Sequence, residues 1–515
     1  MVFILSLITT FIISSILYII FLPPFNIFSI SFWFSLIIFL LLFTFTYIIY
    51  SFRFNKRGNN LNIVKYIIYF IFILTILLII NTLVFNQLFF TTSYANQIDV
   101  KDGNYYDDIK TDYNNLILID KDISIKLSDK IDLLDDKYII SNDFNFINYN
   151  NSTYAIAPLE FSNVFKYMKY KDVGVKGYVL INTTTLESKV VSLDKGMKYT
   201  KQGILFNNIL FRLRLKYPTK VFGDMSFEID SNGNPYYVIP TLDYIGIGKL
   251  EDVEGCIIFN PITGTSSYHS INDIPSWVNH LYSEDLILKQ INNHSIYSDG
   301  FLNSIFGDNI LKLSDGYNYM TINDDIYIYS GILNSNTKSN IGYILSNLRT
   351  KETTLYRISS PTIDKAIKST LSLVKKYKYN VLYPILANID NRATYIMPII
   401  DNNSIIKKYA LMDLRRYENI KLFDASLGIE DVIDKYLNSI SFIDNEAFEK
   451  KITVNYIETA TIDGNTYYYI IDNNGQKYMC SININDKLLP FIKVGDKVIV
   501  TYLEELDVIG IIDIN

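Results

Sequence analysis

The sequence predicts a membrane-anchored α+β protein: three N-terminal transmembrane helices, an exported array of helix-plus-antiparallel-sheet modules, and a small C-terminal β-barrel. Three observations predict it. Residues 1–98 contain no Asp or Glu and only four bases, in a chain whose formal net charge is −6. A strand–turn–strand pattern centred on Asn recurs three times after residue 170. From Lys451 onward, β-favouring runs alternate with turn signals to the end.

The front is taken first. Three uncharged apolar runs cover 2–22, 28–51 and 66–85. Each is long enough to cross a hydrocarbon core of about 30 Å as a helix, the form in which a chain satisfies its own backbone in lipid. Pro23-Pro24 breaks the chain between the first two. Met1 is followed directly by apolar residues and Leu22-Pro23-Pro24 is a poor cleavage site, so the first run reads as a retained helix and not a signal peptide. Arg53, Lys56, Arg57 and Lys65 fall in the loop 52–65. Short basic loops stay cytoplasmic, so these four set the topology. The hairpin tip at Pro23 and everything after Phe90 are then expected outside, making this a multi-pass membrane protein with a large extracytoplasmic domain.

That domain is acidic. The 47 Lys and Arg of the chain, less the four at the front, leave 43 against 53 acids. No basic surface is available to neutralise phosphates, so nucleic acid is excluded as a partner. Cys256 and Cys480 are too few for a disulfide scaffold, and the core must carry stability.

The repeat has a defined spacing. Gly177, Asn182 and Thr185 stand at intervals of five and three, as do Gly255, Asn260 and Thr263, and Gly342, Asn347 and Thr350. Asn belongs at a turn because its short side chain bonds the local backbone. Upstream, Asn150 to Pro158, Asn234 to Pro240 and Asn391 to Pro398 share a polar turn followed by a Tyr-led strand. Helical patterns precede the strands at 123–134, 204–216, 274–291 (Ser276 as cap) and 361–378 (Ser360 as cap, Pro361 at the first position). The resulting modules cover 91–200, 201–273, 274–360 and 361–428. A charged helix at 429–450 reads as a spacer before the barrel at 451–515. The barrel's five strands, in about 65 residues, suit an OB or SH3 type.

The run Lys216-Tyr-Pro-Thr219, Phe227-Glu-Ile-Asp230 and Gly233-Asn-Pro-Tyr-Tyr-Val238 resembles the PepSY and cystatin-like modules of exported bacterial proteins. Val175-Lys-Gly-Tyr178, Lys195-Gly-Met-Lys-Tyr199, Ile274-Pro-Ser-Trp-Val278 and Gly342-Tyr-Ile-Leu345 are similar to runs in large bacterial membrane proteins, some of them labelled the colicin V production (CvpA) family. The resemblance is one of architecture and brings no catalytic residues.

The search for chemistry returns no catalytic, cofactor or metal site. His269, His280 and His294 lack metal-ligand spacing, and neither a G-x-S-x-G elbow nor a Walker A loop is present. Asp230-x-Asn232-x-Asn234 opens like a calcium loop but has Pro235 and Thr241 where Gly and Glu belong. Tyr236, Tyr237, Tyr467, Tyr468 and Tyr469 lie among polar residues and are the candidate ligand-contact rings. The leading expectation is a non-enzymatic envelope protein, a scaffold, sensor or regulator whose exported repeats bind a protein or cell-wall component. The alternatives are an envelope enzyme or peptidase inhibitor, and an export-related membrane component. No ionisable residue lies within a span, which counts against the last.

Overall fold

The computed structural model describes residues 1–54, 62–132, 135–307, 310–358, 360–417, 419–445, 448–462, 465–485, 487–502 and 508–514. Helices α1 (Val2–Phe21), α2 (Ile30–Phe54) and α3 (Asn62–Val84) are each long and apolar enough to cross a membrane. Their apolar side chains are largely exposed, as lipid-facing surfaces require. α1 and α2 meet through small hydroxyls, Thr10 Oγ1 to Thr46 Oγ1 at 2.9 Å and Thr9 Oγ1 to Tyr50 Oη at 3.0 Å. Arg53 closes α2 and Lys65 lies in the first turn of α3, so the basic loop is shorter than expected. Lys56 and Arg57 lie outside the described residues.

The large domain sits at the other end of this bundle. α1 stops at Leu22, whose left-handed φ of 46° precedes the two prolines. Arg214 Nε donates to Leu22 O at 2.9 Å, and its Nη1 donates to the carbonyls of Tyr217, Pro218 and Lys220 at 3.2, 3.4 and 2.6 Å. A cation at a helix C-terminus complements the dipole. Burial lowers the Arg214 pKa to about 10, and no carboxylate bridges it among the described residues. Phe25 N donates to Pro218 O, Gly248 N donates to Phe28 O, and Asn81 exchanges two bonds with Ile247. The domain is thus fixed to the α1–α2 turn and the end of α3, opposite the α2–α3 connection. Helix α4 (Thr91–Ala95), strand β1 (Val100–Gly103) and helix α5 (Tyr105–Asp108) lead into it.

Four units of one design follow. The first comprises α6 (Lys121–Ser128), β2 (Tyr138–Ile140), β3 (Asn145–Tyr149), β4 (Ser152–Phe161), α7 (Val164–Tyr170), β5 (Val175–Asn182) and β6 (Ser188–Met197). The second has α8 (Ile209–Lys216), β7 (Val221–Phe222), β8 (Ser226–Ile229), β9 (Pro235–Asp243), β10 (Asp252–Phe259) and β11 (Ser266–Ser270). The third has α9 (Glu284–Tyr297), α10 (Phe301–Phe306), β12 (Leu311–Leu313), β13 (Asn318–Ile322), β14 (Asp325–Asn334), β15 (Asn340–Asn347) and β16 (Thr353–Tyr356), with β1 added parallel to β16. The fourth has α11 (Ile363–Val374), β17 (Asn380–Val381), β18 (Ile385–Ile389), β19 (Arg392–Ile400), β20 (Ile406–Asp413) and β21 (Ile420–Asp424). Each sheet is a four-rung antiparallel meander whose first rung is broken into two pieces on one edge of the second.

The repeat motif is a hairpin loop closed twice by side chains. Asn182 Oδ1 accepts from Thr184 N and Thr185 N at 2.9 and 2.8 Å, and Thr185 Oγ1 accepts from Glu187 N at 3.3 Å. Asn260 with Thr263, and Asn347 with Thr350, repeat those bonds. The residue four after each Asn is left-handed: Leu186, Gly264 and Lys351. The glycines serve a different purpose. Gly177, Gly255 and Gly342 each border a β-bulge six residues before the Asn. A Cβ there would strike the carbonyl oxygen of Val191, His269 or Tyr356 on the neighbouring strand. The fourth unit keeps the bulge and the turn with other residues. Its register shifts between Ile406 and Lys408, and Asp413 Oδ1 accepts from Arg415 N at 2.9 Å.

Three helix expectations are corrected. The third unit's helix starts at Glu284 with Ser283 as cap, not at Ile274 with Ser276. Residues 274–282 are held in a loop because Glu228 takes the amides of Asn279 and His280. α11 is capped by Thr362, so Ser360 and Pro361 precede it. The helix α12 (Ile429–Asn445) is not a spacer: Ile429, Val432, Ile433, Tyr436 and Ile440 recur at helical spacing and are buried in the main core.

The units close on one another instead of forming an open array. β3 touches β8 and β14, and β13 touches β18, so the first rungs converge at a shared centre. The rings of Phe146 and Tyr319 meet there at a tilt of 56°, with centroids 4.8 Å apart. Lys351 bridges to Asp252 from unit three to unit two, and Lys130 Nζ donates to Asn403 O across units one and four. The C-terminal part is a closed barrel of β22 (Phe448–Ile462), β23 (Asn465–Asp472), β24 (Lys477–Ser481), β25 (Lys497–Tyr502) and β26 (Val508–Ile514), ordered β22-β23-β24-β26-β25, with β24 and β26 parallel. It has its own core. Cys256 and Cys480 are free thiols buried in separate cores, and burial raises both to about 12.

Candidate functional site

Two polar constellations stand out. The first is buried where units one, two and three converge. Glu228, on β8 between Phe227 and Ile229, is fully buried. Its Oε2 accepts from Asn279 N at 2.6 Å and Asn279 Nδ2 at 3.3 Å, and its Oε1 accepts from His280 N at 3.1 Å and Ser226 Oγ at 2.9 Å. His280 Nε2 lies 2.6 Å from Phe146 O, which assigns the proton to that nitrogen. At the start of α9, Glu284 Oε1 accepts from Lys121 Nζ at 2.8 Å and Tyr319 Oη at 2.7 Å. Burial alone would raise the Glu284 carboxyl, but the charges of Lys121 and His280 and these two hydrogen bonds outweigh it and hold the pKa at about 2. Both oxygens of Glu228 and Oε1 of Glu284 are committed to neighbours from other segments, so the chemistry of this cluster is cohesion between units.

The second constellation is open. A cleft of about 830 Å³ lies at the seam where unit four returns to unit one. The Asn182 loop forms one wall with Thr184, Thr185 and Leu186. Ile406, Lys407 and Tyr409 of β20 and the segment from Asp424 to Asp431 form the other. Tyr409 is buried at its base, while Thr185, Ser426, Glu430 and Asp431 are exposed at its mouth. Asp424 is paired with Lys408, and Lys407 reaches Asp401 at 3.5 Å. Glu430 and Asp431 occupy the first turn of α12, where carboxylates are favoured. The volume falls in the range of small-ligand pockets, and its lining mixes hydroxyls, carboxylates and aliphatic carbon.

The predicted aromatic contacts are not gathered here. Tyr237 is buried against Phe227 in the core. Tyr236 is half-buried and lies against Trp277, with ring centroids 5.1 Å apart. Strand alternation turns Tyr468 into the barrel core and Tyr467 outward, but the Tyr467 hydroxyl is bonded to that of Tyr417 in unit four and the ring is covered. Of the five, only Tyr236 and Tyr469 keep partial exposure. Among the repeat residues, Asn182 and Thr185 border the cleft through their loop, whereas the Asn260 and Asn347 loops lie elsewhere. His269, His280 and His294 bond separately, to Asp273 O, Phe146 O and Ala95 O. No group of three metal-ligating side chains occurs among the described residues.

No protein-family model and no curated protein matches the chain. Among solved structures it is similar to a crystallised ACO/RPE65 chimera at 8% identity and a TM-score of 0.13, over 71% of this chain and 59% of that one. The chain thus spans less than two thirds of that protein's length, and a score of this size carries no fold argument.

Proposed function

We propose that this is a cell-envelope membrane protein whose large domain faces outward and binds a polar envelope ligand, a peptide or glycan segment of a protein or wall component, in the cleft between units one and four. The cleft carries the reading: it is ligand-sized and joins exposed hydroxyls and carboxylates to an apolar base. The outward orientation is supported by Arg53 and Lys65, which lie at the bundle end opposite the domain. A helix preceding each meander supports the PepSY-like reading of the units, and the parallel β24–β26 closure supports an OB-like reading of the barrel. The chain is read as a non-enzymatic binder, since the buried acids serve packing.

A photo-crosslinking residue placed at Ser426 or Thr185 of the full-length protein in intact cells tests this. Adducts to one envelope protein or to wall glycan are expected from both positions. Adducts absent from both, or no more frequent than from an exposed barrel position such as Phe491, would refute binding at this cleft.

A further inference from the structure

We infer that the large domain has a second, peripheral contact with the lipid surface, made by α7 and the segment before α8. Val164, Phe165 and Met168 on α7 and Ile204, Leu205 and Phe206 before α8 are all exposed, Phe165 by 87% and Phe206 by 62%. The two pieces form one surface, because Ile204 N donates to Tyr167 Oη at 3.0 Å. Exposed apolar clusters of this kind mark interaction surfaces.

The occupant is fixed by position and charge. Arg214 and Leu210 share one face of α8, four residues apart, and Arg214 is seated on the end of α1 at Leu22. Leu210, partly exposed, lies about 6 Å along the helix from Arg214, and Phe206, in the turn before α8, packs its ring against Phe211 of that helix. The apolar surface therefore runs from α7 by way of Phe206 and Leu210 toward the joint at which the chain leaves the bilayer. Lys166, Lys169 and Lys171 are interleaved with the apolar residues of α7 and its end. Aromatic and aliphatic side chains flanked by lysines are the composition of segments that lie at the headgroup–acyl boundary of anionic membranes. A lipid surface is the partner this patch fits.

The test uses the full chain in phosphatidylcholine–phosphatidylglycerol vesicles carrying a shallow spin-labelled lipid. Phe165→Cys and Phe206→Cys are each labelled with a polarity-sensitive fluorophore, and Phe491→Cys on the barrel is the reference. Cys256 and Cys480 are buried and stay unlabelled. At least about threefold stronger quenching is expected at both patch positions than at the reference, as befits side chains buried about 5–10 Å into the interface. Met168→Cys is a further site in case Phe206→Cys disturbs the Phe211 ring it packs against. Equal quenching at patch and reference overturns the proposal. So does a Phe165→Cys disulfide between two copies with the quencher excluded, which would assign the surface to self-association.

Discussion

Arg214 is the side chain on which the joint between membrane helices and domain turns, and Arg214→Ala tests that. The substitution removes the donors to Leu22, Tyr217, Pro218 and Lys220. The bonds to Leu22 and Lys220, at 2.9 and 2.6 Å, are the two best formed, and the side chain is buried, so water does not fully replace them. At about 1–3 kcal/mol for each orphaned carbonyl, two of them cost roughly 2–6 kcal/mol. Loss of the cation at the α1 C-terminus adds up to about 1 kcal/mol. The cost falls on the joint, because the contacts of Asn81 with Ile247 and of Phe28 with Gly248 do not pass through Arg214. Hydrogen exchange of the full chain in nanodiscs should show residues 22–29 and 217–220 losing protection by at least tenfold, while the β9 and β10 amides keep theirs. Arg214→Lys retains a charge but cannot reach both sides with one amine, and should fall between. Protection at 22–29 unchanged within about threefold in Arg214→Ala, corresponding to less than about 0.7 kcal/mol, would refute the reasoning.

Four further outcomes are expected. Glu284 has a folded pKa of about 2, below its ordinary 4.5, so its contribution is present above pH 4.5 and is lost as pH falls toward 2. At about 1.4 kcal/mol per unit this is on the order of 3 kcal/mol, and Glu284→Gln should lower the denaturation midpoint at pH 7 far more than at pH 3; an equal penalty at both would sink the argument. Glu228→Gln leaves an amide facing donors in a fully buried site and should cost about 2–4 kcal/mol, read from denaturant unfolding of the large domain, whereas a cost under about 1 kcal/mol would show that the carboxylate is dispensable there. Gly255→Ala should destabilise by about 1–3 kcal/mol through the collision with the His269 carbonyl, and Asn260→Ala by about 1 kcal/mol through loss of its two backbone bonds; a neutral Gly255→Ala would mean that the bulge relaxes freely.

The local parts of this fold were legible in the sequence because local physics makes them. Asn182, Asn260 and Asn347 bond amides two and three residues ahead, so the turn carries its own signal. The barrel strands alternate between turn signals, and the first begins earlier than the expected barrel start at 451, at Phe448. Helix starts were less legible. The apolar run from Ile274 has helical spacing, yet a carboxylate 51 residues earlier takes the Asn279 amide and keeps the chain in a loop. The Gly, Asn and Thr motif of the hairpin has no match in the letters of the fourth unit for a related reason. Asp413 replaces Asn with the same acceptor, and Lys408 stands where the other units have Gly, so geometry persisted while the letters changed.

The candidate site illustrates the stronger limit. Its walls, Thr185 and the Asp424–Asp431 segment, are some 240 residues apart in sequence and meet only because unit four returns to unit one. Nothing in either segment encodes that meeting. What does encode it is spread over pairs that look unremarkable alone: Lys130 with Asn403, Asn388 with Ile109 and Thr111, and the buried stripe of α12. Glu228 gives the one clue that single-sequence reading could have used. A carboxylate between Phe227 and Ile229 in a strand buried on both faces must meet donors from outside its own sheet. That requirement points to a partner beyond the sheet, and the segment joining units two and three supplies it through the amides of Asn279 and His280. The return of unit four to unit one in turn creates the seam along which α12 packs, and the cleft proposed to hold a ligand lies at that seam.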